Sequence, residues 1–477
     1  MTNQIKNVCC IGAGYVGGPT MTVMAYKCPN IQFNVVDSNH HKIEQWNDKN
    51  LQNLPIYEPG LDRLIKKCRN KNLHFSTDIK KHISQADMIF ISVNTPIKVN
   101  GIGAGRASDL KWVEKSARQI SEYAEGMTIV VEKSTLPVKT AETIQKILAT
   151  DSENQAFKNK KQKFKVLSNP EFLSEGNAIN DLLNPDRVLI GGNDKDSIET
   201  LASIYRNWVP KELIITTNLW SSELSKLIAN AFLAQRVSSI NSISALCEKT
   251  GSNIQDISLA IGLDKRIGSK FLESGPGFGG SCFRKDILNL VYICEFYGLQ
   301  KVANYWNGII EINDWQQKRI SALIVKNLFG TLADKKITIL GFSFKANTND
   351  TRNSPAINIC KELIQEGANL MIVDPKVTSN QIELELGTML DKNFNKKNNI
   401  EVDGGWCFSN SILSASKESD AIVILTEWDE FKKLDLEKIS NIMRKPSWIF
   451  DSRGIVNVQE AKSFGLNIWS IGNGLSS

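Results

Sequence analysis

Short apolar runs recur along the chain, each followed by glycine, serine or an acidic residue, and they predict strands that alternate with helices. Residues 7–37, NVCCIGAGYVGGPTMTVMAYKCPNIQFNVVD, fit a strand, a tight turn, a helix and a second strand. ADMIFISVNTP and MTIVVEKSTLP, which end at Pro96 and Pro137, predict two further strands. Because strands buried on both faces are apolar throughout, these runs favour a doubly wound sheet.

The second half of the chain repeats this pattern. Residues 335–375 again read as strand, turn, helix and strand, and SDAIVILTEW from Ser419 parallels ADMIFISVNT. Between the halves, apolar residues recur at helical spacing from about Ser221. We therefore predict an α/β protein with two Rossmann-like doubly wound domains joined by a central helical dimerisation region. The expected domain boundaries are residues 1–215, 216–330 and 331–477, and the polar stretch 151–163 is expected to be a solvated connection.

Composition narrows the class of protein. The 477 residues are 42% hydrophobic and 23% charged, which suits a soluble protein of several domains, and the net charge of +6 does not indicate nucleic-acid binding. The nine cysteines lack CxxC spacing, and the sequence shows no leader and no apolar run of about 18 residues. We expect a cytoplasmic protein, without membrane or nucleic-acid partners. The four histidines have no metal-ligand spacing, so no metal site is expected.

A dinucleotide-binding motif lies at the first turn. Gly12, Gly14 and Gly17 form GxGxxG between an apolar strand and a helix, and Asp37 ends the second strand. The glycines allow a tight turn and close approach of a pyrophosphate to the helix N-terminus, while Asp37 can accept hydrogen bonds from a ribose. An acidic residue at this position favours NAD over NADP.

Hydroxyl residues follow the next two predicted strands. Thr95, Ser134 and Thr135 lie beyond strand carboxyl ends, where ligands bind in sheets of this kind. Contact with the nicotinamide half of the cofactor and capping of the next helix are both open for them.

The repeated unit carries a different turn, GFSFKANTNDTR, in place of GxGxxG. It puts Lys345 and Arg352 at the turn that faces phosphate in such folds. We expect a different phosphate-bearing ligand there, with a domain used only for packing as the alternative.

The loop GPGFGGSCFRKD, residues 275–286, delivers Cys282 to a predicted helix start. Its glycines let the backbone approach a bound group, and the first amides of a helix favour a thiolate. We predict that Cys282 is a nucleophile, the alternative being a flexible loop with a buried cysteine. In the central helical segment, Glu223, Lys226 and Asn230 share one face, which also predicts a site.

Together these motifs resemble the UDP-glucose/GDP-mannose dehydrogenase family, and most closely its eukaryotic members that act on UDP-glucose. The resemblance rests on IGAGYVGG, ISVNTP, EKSTLPV, LSNPEFLSEG, SSELSKLIANAFLAQR, RIGSKFLESGPGFGGSCFRKD, GFSFKANTNDTR and FDSRG, in the family's order. It implies that UDP-glucose is oxidised at C6 to UDP-glucuronate with two NAD, through a thiohemiacetal and a thioester on Cys282. Pro276 in the glycine loop is closer to bacterial members, and FDSRG replaces the commoner FDGR. The same mechanism on GDP-mannose or a UDP-N-acetylhexosamine therefore stays open.

The resemblance also implies roles for individual residues. Lys226 and Asn230 would donate to the oxyanion at C6, Thr135 and Glu171 would position water, and Asp286 would activate water or relay a proton. Which of Glu171, Lys226 and Asp286 is the base in each step stays open. The implied cofactor residues are Gly12, Gly14, Tyr15, Val16, Gly17, Asp37, Lys42, Val93, Thr95, Ser134, Thr135, Glu175, Cys282, Lys285 and Arg352. The implied substrate residues are Glu171, Phe172, Leu173, Glu175, Lys226, Asn230, Arg266, Glu273, Phe278, Gly279, Phe344, Lys345 and Arg453.

Arg266 resembles a family residue that is contributed across a subunit interface, which implies a homo-oligomer of at least two chains, with a hexamer left open.

Two rival functions remain at this point. A two-electron dehydrogenase of the 6-phosphogluconate or hydroxyacid type would not need Cys282, and a catalytically silent nucleotide sensor would not need the set of polar residues around it.

Overall fold

The structure is a computed structural model that describes residues 5–135, 137, 139–153, 163–389 and 404–474. The described chain divides into two compact units. The first takes the chain up to Ala229 together with Leu288–Leu299, and the second takes Asn230–Ile287 together with the chain from Gln300. Most of the polar stretch predicted to be a solvated connection lies outside the described residues.

The first unit is built on a sheet whose described strands have the order β3-β2-β1-β4-β5-β6-β7-β8. Neighbouring strands run parallel except β6 and β7, which are antiparallel. The strands are β1 (Asn7–Ile11), β2 (Gln32–Val36), β3 (Leu73–Ser76), β4 (Met88–Ile91), β5 (Met127–Glu132), β6 (Lys163–Ser168), β7 (Val188–Gly191) and β8 (Ile214–Thr217).

The second unit has its own sheet, in the order β11-β10-β9-β12-β13-β14, with all neighbours parallel. Its strands are β9 (Lys336–Leu340), β10 (Asn369–Val373), β11 (Gly405–Phe408), β12 (Ala421–Ile424), β13 (Trp448–Asp451) and β14 (Asn467–Ser470). Two doubly wound sheets were predicted from the apolar runs, and this prediction is confirmed.

Helices connect the strands and form the central region. They are α1 (Gly17–Lys27), α2 (His40–Asn47), α3 (Leu61–Cys68), α4 (Ile79–Ser84), α5 (Lys111–Tyr123), α6 (Thr140–Glu153), α7 (Ala178–Leu183), α8 (Lys195–Tyr205), α9 (Leu219–Thr250), α10 (Ile254–Gly262), α11 (Phe283–Phe296), α12 (Gln300–Asn327), α13 (Pro355–Gln365), α14 (Ser379–Leu386), α15 (Ile412–Ser416), α16 (Leu436–Ile442) and α17 (Val458–Ser463). Short 3-10 helices cover Leu51–Asn53, Lys211–Leu213 and Phe431–Lys433. None of the described helices has the length and apolar character needed to cross a membrane.

The core of the first unit lies on both faces of its sheet. Along β1, Val8 and Cys10 belong to one buried apolar cluster, while Cys9 and Ile11 belong to another. Successive side chains of a strand point to opposite faces, so a strand covered on both sides is apolar at every position. This explains why β1 shows no alternation of apolar and polar residues.

Both units have a glycine with positive φ in the turn after their first strand. Gly12 after β1 has φ +110°, and Gly341 after β9 has φ +94°. A Cβ atom at Gly12 would lie 2.2 Å from the Ser92 carbonyl oxygen, and one at Gly341 would lie 2.3 Å from Cβ of Thr426. Both the backbone angle and the close neighbour exclude a side chain, so the first strand of each sheet ends in a turn that only glycine permits.

We predict that Gly341→Ala destabilises the protein, because the new methyl group meets Thr426 and the backbone is strained. The expected loss in the free energy of unfolding, measured by urea denaturation, is about 1–3 kcal/mol. Gly308→Ala is the matched control, since this helical glycine has open space around its Cα. It should stabilise the protein by about 0.4–1 kcal/mol. Equal effects of the two substitutions would contradict this account of the turn.

Candidate active site

The predicted dinucleotide cradle lies between β1 and α1. A Cβ atom at Gly17 would lie 2.0 Å from the Gly12 carbonyl oxygen, whereas Gly14 has nothing within 4 Å of the corresponding position. Gly12 and Gly17 are therefore required by the turn itself, while Gly14 leaves space in front of the helix N-terminus. That open space is where a pyrophosphate would bind, so the cradle fits the predicted NAD. Val16 precedes α1 as its N-cap, and Tyr15 packs against the apolar core of the unit.

Asp37 is held at the end of β2 by several donors. Its carboxylate accepts hydrogen bonds from the backbone N–H groups of Ala13 and Asn39, at 3.1 and 3.0 Å, and from Nζ of Lys42 at 2.9 Å. Burial alone would raise the pKa of Asp37, but these hydrogen bonds and the Lys42 charge outweigh burial and lower it. Asp37 is thus an oriented, ionised acceptor of the kind that a ribose needs, and Lys42 is its ion partner.

A support of this cradle was missed from the sequence. Trp46 is buried, and its Nε1 donates to the Ala13 carbonyl oxygen at 3.0 Å. A Cβ atom at Gly18 would lie 2.3 Å from the Trp46 ring, so the helix start packs directly on this indole. A tryptophan in a mostly polar helix was the available signal.

The hydroxyl residues after β4 and β5 connect two loops. Ser134 Oγ donates to the Val93 carbonyl oxygen at 2.7 Å, and Thr95 Oγ1 donates to the Thr135 carbonyl oxygen at 3.1 Å. These bonds join the loops that follow neighbouring strands. They show neither contact with the cofactor nor capping of the next helix, the two roles left open by the sequence. Their predicted contact with the cofactor stays a prediction.

Glu171 lies after β6 in a ring of donors. Its Oε1 accepts hydrogen bonds from the backbone N–H groups of Phe172 at 2.8 Å and Leu173 at 3.1 Å. Its Oε2 lies 3.0 Å from Nζ of Lys133 and accepts a hydrogen bond from Thr20 Oγ1 at 3.4 Å. Burial alone would raise the pKa of Glu171, but Lys133 and the two backbone donors hold it below its usual range.

Two cations flank the ring of Phe172. Nζ of Lys226, from α9, lies 5.2 Å from the ring centroid, and the guanidinium carbon of Arg187 lies 3.9 Å from it. The structure therefore brings Glu171, Phe172 and Lys226 to one corner of the first unit. Glu175, predicted to bind cofactor and substrate, is partly buried a few residues further along the same loop.

Glu223 has a structural role that the shared helix face did not reveal. Its carboxylate accepts hydrogen bonds from the backbone N–H groups of Lys139 and Ala141, both at 2.7 Å, where α6 begins. Burial raises the pKa of Glu223, and burial together with the neighbouring Glu223 raises that of Glu132 well above its usual range. Glu223 therefore stabilises the start of α6.

In the second unit, Cys282 immediately precedes α11. Its carbonyl oxygen accepts the backbone N–H of Asp286 at 2.9 Å, which places Cys282 at the helix start, as predicted. Its side chain is half-buried, and Sγ lies 3.4 Å from Ser281 Oγ. By contrast, Cys360 is fully buried, and burial raises the pKa of its thiol.

The glycine loop before Cys282 is held by buried side-chain amides. Asn241 Oδ1 accepts the Gly275 N–H at 2.8 Å, and Gln316 Nε2 donates to the Gly275 carbonyl oxygen at 2.8 Å. Asn313 pairs with both backbone groups of Phe278, at 2.7 and 3.2 Å, and the Phe278 ring is buried. The loop is therefore fixed at several points before it reaches the cysteine. Sequence reasoning missed these amides, although polar residues on an otherwise apolar helix face are a recognisable signal.

Two predicted catalytic residues of this unit form a direct pair. Asn230 Nδ2 donates to Asp286 Oδ2 at 2.6 Å, and both side chains are buried. Nζ of Lys285 lies 3.6 Å from the other oxygen of Asp286. The fold therefore places Asp286 beside Asn230, although the two residues are far apart in the sequence.

Arg453 and Phe344 lie together beside the glycine loop. Arg453 donates to the carbonyl oxygens of Leu425 at 2.9 Å and Phe344 at 3.2 Å. A Cβ atom at Gly275 would lie 3.1 Å from the Arg453 guanidinium, and Nζ of Lys345 lies 5.7 Å from the Phe344 ring centroid. Predicted substrate residues of the second unit are thus neighbours.

The glycine end of this loop packs equally closely. A Cβ atom at Gly279 would lie 2.5 Å from the Asn353 carbonyl oxygen and 2.9 Å from Cβ of Phe344. Gly280 donates its N–H to the Arg352 carbonyl oxygen at 2.8 Å. The Arg352 guanidinium pairs with Asp350, at 2.6 Å for the closest contact.

Two other predicted substrate residues, Arg266 and Glu273, are exposed. Arg266 is 88% exposed and pairs with Asp264 of its own chain at 2.6 Å. Among the described residues, no group of histidine, cysteine, aspartate and glutamate could hold a metal ion.

A glycine cradle with an oriented acid on one sheet, and a cysteine at a helix start in a second doubly wound unit, define a nucleotide-dependent oxidoreductase. Family models agree with this class. The chain belongs to the UDP-glucose/GDP-mannose dehydrogenase family, whose NAD binding domain matches residues 6–209, whose central domain matches 220–315 and whose UDP binding domain matches 338–458. The family resemblance and NAD as the cofactor are thereby confirmed, while the roles of single residues and the predicted domain boundaries stay predictions.

Known relatives span nearly the whole chain. UDP-glucose 6-dehydrogenase 1 of Glycine max is 52% identical, with 98% of this chain and 97% of the relative covered. UDP-glucose 6-dehydrogenase of Drosophila melanogaster is 53% identical, with 98% and 96% covered. Among solved structures, a UDP-glucose dehydrogenase from Pyrobaculum islandicum is 26% identical with a TM-score of 0.82, and 99% of this chain and 98% of that one are covered.

We predict that Gly14→Ala weakens NADH binding by at least about tenfold, a loss of about 1.4 kcal/mol, without lowering the melting temperature. The methyl group fits the free protein but occupies the space expected for the pyrophosphate. Gly12→Ala is the comparison, because its methyl group collides with the Ser92 carbonyl oxygen and should lower the melting temperature. Fluorescence titration with NADH and thermal unfolding measure the two effects. Unchanged NADH affinity in Gly14→Ala would contradict the placement of the pyrophosphate.

Proposed function

We propose that this enzyme oxidises the C6 alcohol of UDP-glucose to the carboxylate of UDP-glucuronate through a thioester on Cys282. The observation that carries the proposal is Cys282, half-buried at the start of α11, with the buried Asn230–Asp286 pair on the same unit. The names of relatives that are more than half identical to this chain support UDP-glucose as the substrate.

The first step is oxidation of the alcohol to the aldehyde. Bound NAD accepts a hydride from C6 in each of the two oxidations. Asn230, whose amide group donates to Asp286, and Lys226, which carries a positive charge, are the proposed donors that stabilise the oxyanion at C6. Lys226 and Asp286 are the two candidates for the base that removes the hydroxyl proton.

Cys282 then captures the aldehyde. Its thiolate forms a C–S bond to C6, and loss of the second hydride converts the thiohemiacetal into a thioester. In hydrolysis, water forms a C–O bond to C6, the C–S bond breaks and Cys282 leaves as thiolate. Glu171 takes the proton from the attacking water. Covalent capture keeps the aldehyde from escaping between the two oxidations.

Recognition of the UDP group is proposed for the second unit. Lys345 and Arg453 are cations that suit a diphosphate, and Phe344 lies close to both of them and to the glycine loop. The match of this unit to the family's UDP binding domain supports the assignment.

We also propose a cytoplasmic homo-oligomer of at least two chains. Its support is the family resemblance of Arg266, together with exposed apolar residues on central helices, including Phe232 at 54%, Leu246 at 58% and Leu259 at 66%. Light scattering after size exclusion should give the mass of two or more chains. A monomer with full activity would contradict the shared site, and a fluorescent fusion found in the secretory pathway would contradict the location.

With limiting UDP-glucose, we predict two NADH per UDP-glucose consumed, because aldehyde and thioester formation each release a hydride. Absorbance of NADH and chromatography of the nucleotide sugar measure the ratio. GDP-mannose and UDP-N-acetylglucosamine are run in parallel. A ratio of one would contradict the thioester, and a ratio of two only with another nucleotide sugar would contradict the substrate.

We predict that Cys282→Ser abolishes turnover to UDP-glucuronate, because serine is a far weaker nucleophile and a poor leaving group at this position. Cys407→Ser is the matched control, since Cys407 is also partly buried in the second unit but lies on β11, away from every predicted site residue in sequence. It should keep normal turnover. Formation of UDP-glucuronate by Cys282→Ser at the normal rate would contradict the thioester on Cys282.

A further inference from the structure

Lys133, which follows β5, is a buried cation that the sequence did not single out. Its side chain is only 4% exposed. Nζ lies 3.0 Å from Glu171 Oε2, 3.1 Å from Asn169 Oδ1 and 3.2 Å from the Tyr205 hydroxyl oxygen. Lysine is almost never buried unless it is paired, so these three acceptors account for its position.

The groups that contact Lys133 are themselves held by further hydrogen bonds. The Tyr205 hydroxyl donates to Asn169 Oδ1 at 2.7 Å, and Asn169 Nδ2 donates to the Leu189 carbonyl oxygen at 2.8 Å. Lys133 donates its backbone N–H to the Ile91 carbonyl oxygen at 3.0 Å. Its ammonium group is therefore fixed by the sheet and by α8 as well as by Glu171.

The two oxygens of Glu171 are divided between two kinds of donor. Backbone N–H groups of Phe172 and Leu173 bind Oε1, while Lys133 and the Thr20 hydroxyl bind Oε2. These four donors fix one orientation of the carboxylate, and Lys133 balances its negative charge. Burial alone would lower the pKa of Lys133, but the Glu171 charge outweighs burial and raises it.

Other titratable groups surround this pair. Tyr205 from α8 and Cys10 from β1 lie near Lys133, and burial raises the pKa of both, so they are neutral at physiological pH. Lys226 from α9 and Arg187 lie over the ring of Phe172, beside Glu171 in sequence. Lys133 makes a direct ion pair with the Glu171 carboxylate.

We propose that Lys133 is a positioning residue that keeps Glu171 ionised and oriented for thioester hydrolysis. Water forms its C–O bond to the thioester carbon, the C–S bond breaks with Cys282 as the leaving thiolate, and the water proton goes to Glu171. Without Lys133, the pKa of the buried Glu171 would rise, and a protonated Glu171 could not accept the proton from water. This role rests on the proposed function.

Lys133→Met removes the charge and keeps the length of the side chain. Both hydride transfers precede hydrolysis, so stopped-flow mixing should still show the initial burst of NADH. The later steady-state rate should fall at neutral pH and partly recover at alkaline pH. We expect the acid limb of its pH profile to move upward by about 1–3 pH units, the size of a carboxylate shift on losing an adjacent cation.

Two variants serve as controls. Lys133→Arg keeps the positive charge and should restore the acid limb toward its normal position. Tyr205→Phe removes one acceptor of Lys133 but leaves the ion pair, so the acid limb should stay in place. A purely structural role of Lys133 would lower the rate in proportion at all pH values and would not be rescued by arginine.

The Glu171→Gln background tests whether Lys133 acts through Glu171. Adding Lys133→Met to Glu171→Gln should not slow hydrolysis further, and this double variant keeps the test possible if Lys133→Met alone does not fold. An unshifted acid limb in Lys133→Met, or an equal additional slowing in both backgrounds, would overturn the proposal. A wild-type enzyme that forms no NADH from UDP-glucose would instead contradict the proposed reaction itself, and the NADH ratio tests that failure separately.

Discussion

Each unit depends on a backbone turn at the end of its first strand in which no side chain fits. Gly12 and Gly341 both have positive φ, and a methyl group on either would collide with the loop after the neighbouring strand. The turn brings the next helix back over the sheet. In the first unit it also leaves open space at Gly14 and sets the Ala13 N–H against Asp37. The same constraint therefore forms the sheet, the helix start and the cofactor cradle.

Two pairs of buried polar side chains, one in each unit, are in contact before any ligand is considered. Lys133 with Glu171 and Asn230 with Asp286 are direct contacts between charged or amide side chains. Such pairs hold reacting groups in one orientation, which reduces the reorganisation needed during reaction. Their low exposure also strengthens their electrostatic effect on one another. The pairing explains why these charged side chains are stable in the interior of the protein.

The sequence was sufficient for local features and insufficient for distant contacts. Apolar runs predicted the strands, GxGxxG predicted the turn at Gly12, and the residues around Cys282 predicted a helix start there. The Lys133–Glu171 pair joins residues from different strands, so no local spacing reveals it. Asp37 and Asp374 look alike in sequence, and each accepts a backbone N–H from the turn after the first strand of its sheet. Asp37 also pairs with Lys42, whereas Asp374 accepts the N–H of Val377. Only the folded contacts distinguish these two acids.

The central claim is that the sugar becomes covalently attached to Cys282, and intact-protein mass spectrometry tests it most directly. The Glu171→Gln enzyme would be mixed with UDP-glucose and NAD, quenched in acid after the NADH burst, and digested to locate any adduct. The account predicts one UDP-glucuronyl group per chain, attached to Cys282, because hydrolysis is slowed after the second hydride transfer. Formation of two NADH per UDP-glucose with Cys282 unmodified would contradict it.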